Sequence, residues 1–213
     1  TTMMKNNEKQ KAEIMGINRH RMGTDGKGIS TLITFYGCPL NCKYCLNPQC
    51  KKESTTCTYI EPNDLVNLLM VDDIYFKSTG GGIVFGGGEP LLNAEYIKEV
   101  CDLVPLQWKI RIETSLNVKW DKIELLLPYI DQWIIDIKDS NTEIYKNYTG
   151  ADNLKVYDNV LRLSHKTGKE KLLIRIPKIP NYNAEKDIQK SLKLYSNLGN
   201  IDNFNYKILN RNY

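Results

Sequence analysis

The chain has 213 residues, 41% of them hydrophobic and 25% charged, with a formal net charge of +4. That length suits one core better than two, and the balance is ordinary for a water-soluble globular protein. No stretch approaches the roughly 18 apolar residues of a membrane span, and the basic residues are scattered instead of forming the stripe expected of a nucleic-acid binder.

The opening residues, TTMMKNNEKQKAE, lack the apolar centre of a signal peptide, so the expected location is cytoplasmic. Residues 1–22 are expected to be an N-terminal extension or a first strand of a single domain spanning 1–213. Short β-rich runs then alternate with amphipathic ones. STLITFY (30–36) reads as a strand, PNDLVNLLMVDD (62–73) as a helix, and GIVF (82–85) as a strand. NAEYIKEVCDLV (93–104) is a helix with Asn93 placed as its N-cap. KIRIE (109–113) is a strand, DKIELLLPYI (121–130) is helical up to Pro128, and QWIIDIK (132–138) is a strand. A helix over 153–166 stops near Gly168, and the strand KLLIRI (171–176) follows. A helix over 184–198 ends at Gly199, and FNYKIL (204–209) is the last strand. Six strands with helices between them predict an α/β fold with a parallel sheet, whose ligands bind beyond the carboxyl ends of the strands. Periodicity does not distinguish an open sheet from a barrel.

Four of the six cysteines fall within residues 38–50, and the only histidines are His20 and His165. Cys38, Cys42 and Cys45, in GCPLNCKYC, have the spacing C-x3-C-x2-C directly after the first 30–36 strand. Thiolates suit zinc or an iron–sulfur cluster. A structural zinc or an ordinary four-iron cluster takes four protein ligands, which would enlist Cys50 or Cys57. Three ligands leave one metal position open, as a reactive site requires. Otherwise Cys50 and Cys57 read as free thiols in a surface loop, and Cys101 as a small apolar core residue. A second element, GIVFGGGEP (82–90), runs a strand into Gly86, Gly87 and Gly88, whose lack of side chains lets a backbone approach a ligand closely.

The two motifs together resemble the signature of the radical S-adenosylmethionine superfamily. In that family three cysteines hold a [4Fe–4S] cluster, S-adenosylmethionine binds the fourth iron, and its reductive cleavage yields a radical that abstracts hydrogen from substrate. TDGKGISTLITFYGCPLNCKYCLNP (24–48), STGGGIVFGGGEPLLNAEYI (78–97), IIDIKDSN (134–141) and LLIRIPKIPNYN (172–183) are similar to the activating enzymes of glycyl radical enzymes. The similarity runs from about residue 14 to the end. It implies a partial (β/α)6 barrel, open on one side.

The resemblance also implies the site. Cys38, Cys42 and Cys45 are the cluster ligands, with Tyr44 beside them. Gly86, Gly87, Gly88 and Glu89 contact the cofactor, with Lys138 or Arg175 facing its carboxylate. Glu113, Thr114 and Asp136 correspond to a monovalent-cation site in which Glu113 replaces an aspartate. Asp136 and Lys138, two residues apart in a strand, also read as a simple salt bridge, and Arg175 as a solvent-facing residue. Asn210 stands where the family often has a histidine, and a short C-terminal end leaves little for a substrate loop. Only Cys50 and Cys57 lie in 49–61, so one cluster is expected. The implied partners are a glycyl radical enzyme or peptide substrate and an electron donor such as flavodoxin or ferredoxin, with no membrane and no nucleic acid. The same motifs allow a peptide-tailoring enzyme or a relative of 7-carboxy-7-deazaguanine synthase. A zinc-stabilised binding module is the reading without catalysis.

Overall fold

The computed structural model describes residues 11–202. Eight strands form one sheet: β1 (Ala12–Met22), β2 (Ile29–Phe35), β3 (Thr58–Ile60), β4 (Gly82–Gly87), β5 (Lys109–Thr114), β6 (Gln132–Asp136), β7 (Leu172–Arg175) and β8 (Asn200–Asp202). The spatial order is β3-β1-β2-β4-β5-β6-β7-β8. Strands β2, β4, β5, β6, β7 and β8 are mutually parallel, while β1 is antiparallel to β2 and to β3. The order is linear, so the described sheet is a partial barrel and does not close on itself.

Alternation along the strands separates two faces. Ile33, Phe35, Ile83, Phe85, Ile110, Ile112, Trp133, Ile135, Leu172 and Ile174 belong to the apolar core beneath the helices. Their neighbours Thr34, Gly86, Arg111, Glu113, Asp136 and Arg175 take the opposite, concave face. The helices are α1 (Pro62–Leu69), α2 (Asp73–Thr79), α3 (Ala94–Leu103), α4 (Trp120–Glu124), α5 (Thr142–Thr149), α6 (Leu154–Thr167) and α7 (Glu185–Tyr195). In α3 the buried residues Ala94, Ile97, Val100 and Cys101 recur at helical spacing. Cys101 thus packs in the core, as its position implied.

Several expectations need correction. The 62–73 helix is two helices joined by a tight turn at Met70–Asp72. The Asn93 side chain makes no capping hydrogen bond. The 121–130 helix ends at Glu124: Leu126 N and Leu127 N already donate to Ile123 O and Glu124 O in tighter turn bonds ahead of Pro128. Helix α5 was unforeseen in the polar run NTEIYKNYTG; Asn141 caps it, its Oδ1 accepting from Glu143 N and Ile144 N at 2.9 and 3.1 Å. The sixth parallel strand is Asn200–Asp202, and the expected strand at 204–209 lies outside the described residues.

The turn between β1 and β2 lies across the lower end of the concave face. Asp25 is buried, receiving Arg21 Nε and Nη2 at 2.6 Å each and the Ser30 hydroxyl at 2.7 Å. Burial pulls the Asp25 pKa up, but Arg21 and Ser30 together hold it below the usual carboxylate range. Arg111 Nη2 donates to Lys27 O at 2.7 Å and Arg175 Nη2 to Thr24 O at 2.6 Å. Gly28, at φ 82°, lies where a Cβ would be 2.5 Å from Gly81 N, which accounts for the glycine.

Candidate active site

The cysteine loop and the glycine turn are fastened to each other. Gly88 N donates to Phe35 O at 2.9 Å and Glu89 N to Gly37 O at 2.8 Å. A Cβ on Gly88 would lie 2.0 Å from Gly37 O, so only glycine permits this approach. On its far side the loop is held by α5: Asn41 N donates to Thr149 O at 2.6 Å and Lys43 N to Tyr148 O at 3.1 Å. The Tyr44 ring packs against Tyr148 and Tyr182, at centroid distances of 6.3 and 5.9 Å.

Between this loop and the upper ends of the strands lies a cavity of about 1070 Å³. That is the size of the largest small-molecule sites. Cys38, Cys42, Cys45 and Tyr44 line it together with Gly87, Gly88, Glu89, Glu113, Thr114, Asp136, Lys138 and Arg175. Gly86 adjoins it, with Glu113 Oε2 3.3 Å from where its Cβ would stand. Among the described residues, every one expected at the site except Gly86 is therefore on the cavity wall.

The charges are paired. Lys138 Nζ lies 3.3 Å from Asp136 Oδ2, and Arg175 Nη1 3.0 Å from Glu113 Oε1. The salt bridge foreseen between Asp136 and Lys138 is present, and both residues still face the cavity. Arg175 is buried, not solvent-facing. Burial raises the Glu113 pKa, Arg175 opposing and Asp136 adding to the rise. Burial pushes the Cys38 thiol up to about 11 and raises Cys42 too, whereas a hydrogen bond with the Cys50 side chain draws Cys45 down to about 6.

Glu89 has a part that its motif did not reveal. It is 1% exposed, and its carboxylate is saturated by protein donors. Oε1 accepts from the Thr114 hydroxyl at 2.7 Å and Leu91 N at 3.3 Å; Oε2 accepts from Ser115 N at 3.0 Å and the Ser115 hydroxyl at 2.7 Å. Burial nevertheless raises its pKa above the usual range, against those donors. Glu89 and Thr114 thus brace the ends of β4 and β5 against each other.

Cys50 departs from expectation. It is not a surface thiol but 1% exposed, and it lines the same cavity as the triplet. Cys57 is half-buried. Arg21, Asp25 and Arg111 were not singled out from the sequence, although DGKG marked their partner turn. Asn210 lies outside the described residues.

Soft thiols sharing a cavity with basic and carboxylate side chains fit a thiolate-bound cluster with a zwitterionic cofactor beside it. The comparisons agree. Residues 32–194 match the model of the Radical SAM superfamily. The (2S)-3-sulfopropanediol dehydratase activating enzyme of Klebsiella oxytoca is 30% identical, over 76% of this chain and 69% of its own length. The pyruvate formate-lyase-activating enzyme of Clostridium pasteurianum is also 30% identical, over 84% and 74%. In fold, the chain resembles Streptococcus suis SuiB bound to S-adenosylmethionine, with a TM-score of 0.64 at 14% identity over 84% of this chain and 43% of that one. Among the described residues no helix is long and apolar enough to cross a membrane. The chain belongs to the Radical SAM superfamily, whose enzymes use a [4Fe–4S] cluster and S-adenosylmethionine.

Proposed function

We propose that this enzyme is an activase, abstracting hydrogen from a glycine of a partner enzyme. The observation that carries this reading is the pair of curated relatives, both activating enzymes, each similar over at least three quarters of this chain. The cavity supports it. Cys38, Cys42 and Cys45 would hold the cluster, and Lys138 offers an ammonium for a cofactor carboxylate. Arg175 is read as a brace that fixes Glu113, and Glu89 as the brace beneath the glycine turn. When bound, the cluster and S-adenosylmethionine supply the one-electron cleavage that makes hydrogen abstraction possible. The chain's own residues bind, orient and shield, and none is needed as an acid or base. Activity is expected only without oxygen and with a low-potential electron donor.

The test is anaerobic reconstitution with iron and sulfide, then incubation with strong reductant, S-adenosylmethionine and a glycyl radical enzyme. Released 5′-deoxyadenosine and a glycyl radical signal in electron paramagnetic resonance are expected. Release of 5′-deoxyadenosine with no radical on any such partner would overturn the activase reading. No release at all from four-iron protein would overturn the cofactor assignment.

A further inference from the structure

Four thiols line the cavity, and the proposed function uses three. We infer that Cys50 is the resolving partner of Cys45, the two closing to a reversible disulfide when the cluster-free chain meets hydrogen peroxide. Their side chains are in hydrogen-bond contact. Both line the cavity, Cys45 exposed and Cys50 buried.

Cys50 is held there by its backbone. Gly37 N donates to Cys50 O at 2.8 Å, and Cys50 N to Asn47 O at 3.0 Å. Asn47 Nδ2 in turn donates to Gly87 O at 3.1 Å. An accessible sulfur backed by a fixed second sulfur is the arrangement that turns oxidation into a disulfide instead of a dead end. Of the two thiols outside the cavity, Cys101 is in the core beneath the helices, and Cys57 is not on the cavity wall.

The chemistry balances. The Cys45 sulfur attacks the peroxide, breaking the O–O bond, forming S–OH and releasing water. The Cys50 sulfur then attacks the Cys45 sulfur, forming the S–S bond and expelling the second water. Two thiols lose two electrons and two protons, and the peroxide takes up both. A thiol reductant reverses the reaction. If Cys45 is a cluster ligand, as the proposed function has it, the disulfide shelters it from irreversible oxidation and withholds it from cluster assembly until reduced.

The sequence makes the test direct. Trypsin cuts after Lys43 and Lys51, releasing Tyr44–Lys51 with both cysteines in one peptide. Cluster-free full-length chain is treated with hydrogen peroxide, alkylated, digested and weighed. The expected peptide is two hydrogens lighter, resists alkylation, and recovers both thiols with dithiothreitol. In Cys50→Ser, Cys45 sulfinate is expected to rise from a trace to the main product. Two alkylatable thiols in this peptide while other cysteines are oxidised would overturn the inference. So would a disulfide joining Cys45 to Cys38 or Cys42. The wild-type measurement stands even if Cys50→Ser folds poorly. Neither outcome depends on release of 5′-deoxyadenosine, so failure of the activase reading is separately visible.

Discussion

Replacing Gly88 with alanine probes the junction between the cysteine loop and the glycine turn. The new Cβ would stand 2.0 Å from Gly37 O and 3.0 Å from Phe35 O, both backbone atoms. Neither can rotate away, so the strands must part and break the bonds from Gly88 N to Phe35 O and from Glu89 N to Gly37 O. Leaving those buried groups unpaired costs about 1–3 kcal/mol for each bond, so the loss is about 2–6 kcal/mol. For a chain of this size that lowers the melting temperature by roughly 5–20 °C. Gly86→Ala is the control. Its Cβ would meet only side chains, Leu32 Cδ1 at 3.0 Å and Glu113 Oε2 at 3.3 Å, and its φ is not positive. Mild crowding against a gain in chain stiffness leaves stability within about 1 kcal/mol. Thermal unfolding of both cluster-free variants, with S-adenosylmethionine binding to the reconstituted ones, reads the contrast. A Gly88→Ala chain as stable as its parent would refute the close-approach reasoning. Equal destabilisation by both substitutions would refute the division between a glycine packed on backbone and one packed on side chains.

Three further outcomes follow from the acidic side chains held inside the fold. Glu89→Gln replaces one acceptor oxygen with a donor facing a backbone N–H, and chemical denaturation should show a loss of about 1–3 kcal/mol. Arg175→Met leaves the partly buried Glu113 without its ion pair, at a cost of about 3–5 kcal/mol; adding Glu113→Gln should restore part of it, and strict additivity in the double mutant would count against the pair. Asp25 has a depressed folded-state pKa, so its contribution is present above the unfolded value of about 3.9 and lost as pH falls through the folded one. The stability gap between wild type and Asp25→Asn, followed by urea titration, should therefore narrow below about pH 4, and a gap that widens there would contradict the Arg21 pairing.

Five of the six parallel strands were legible because their core-facing residues alternate from Ile33 to Ile174; the short β8 was not. The cysteine and glycine motifs were legible because each sits at a strand end. Strand β1 was foreseen only as one alternative for residues 1–22, since it carries charged residues on its exposed side, and β3, with three residues, did not stand out. Helix α5 starts at an asparagine cap within a polar run and buries only Tyr145, Tyr148 and Thr149, so it did not stand out. The burial of Cys50 was not readable in PQCKKES, a polar run; it comes from a bond to Gly37, thirteen positions earlier. Likewise Glu89 was assigned to the cofactor by its motif, and only the fold shows its four donors arriving from Leu91, Thr114 and Ser115.

The turn that shuts the lower end of the concave face also sets the order in which this molecule can be finished. Thr24 waits for Arg175, 151 positions later, and Lys27 for Arg111, 84 positions later. At roughly 5–20 residues per second, ribosomal synthesis leaves the turn without its arginine partners for on the order of 10 s. Contacts this distant in sequence close slowly. The cavity floor is therefore among the last parts of the enzyme to form, and metal delivered during synthesis would meet the cysteine loop before the chamber behind it exists.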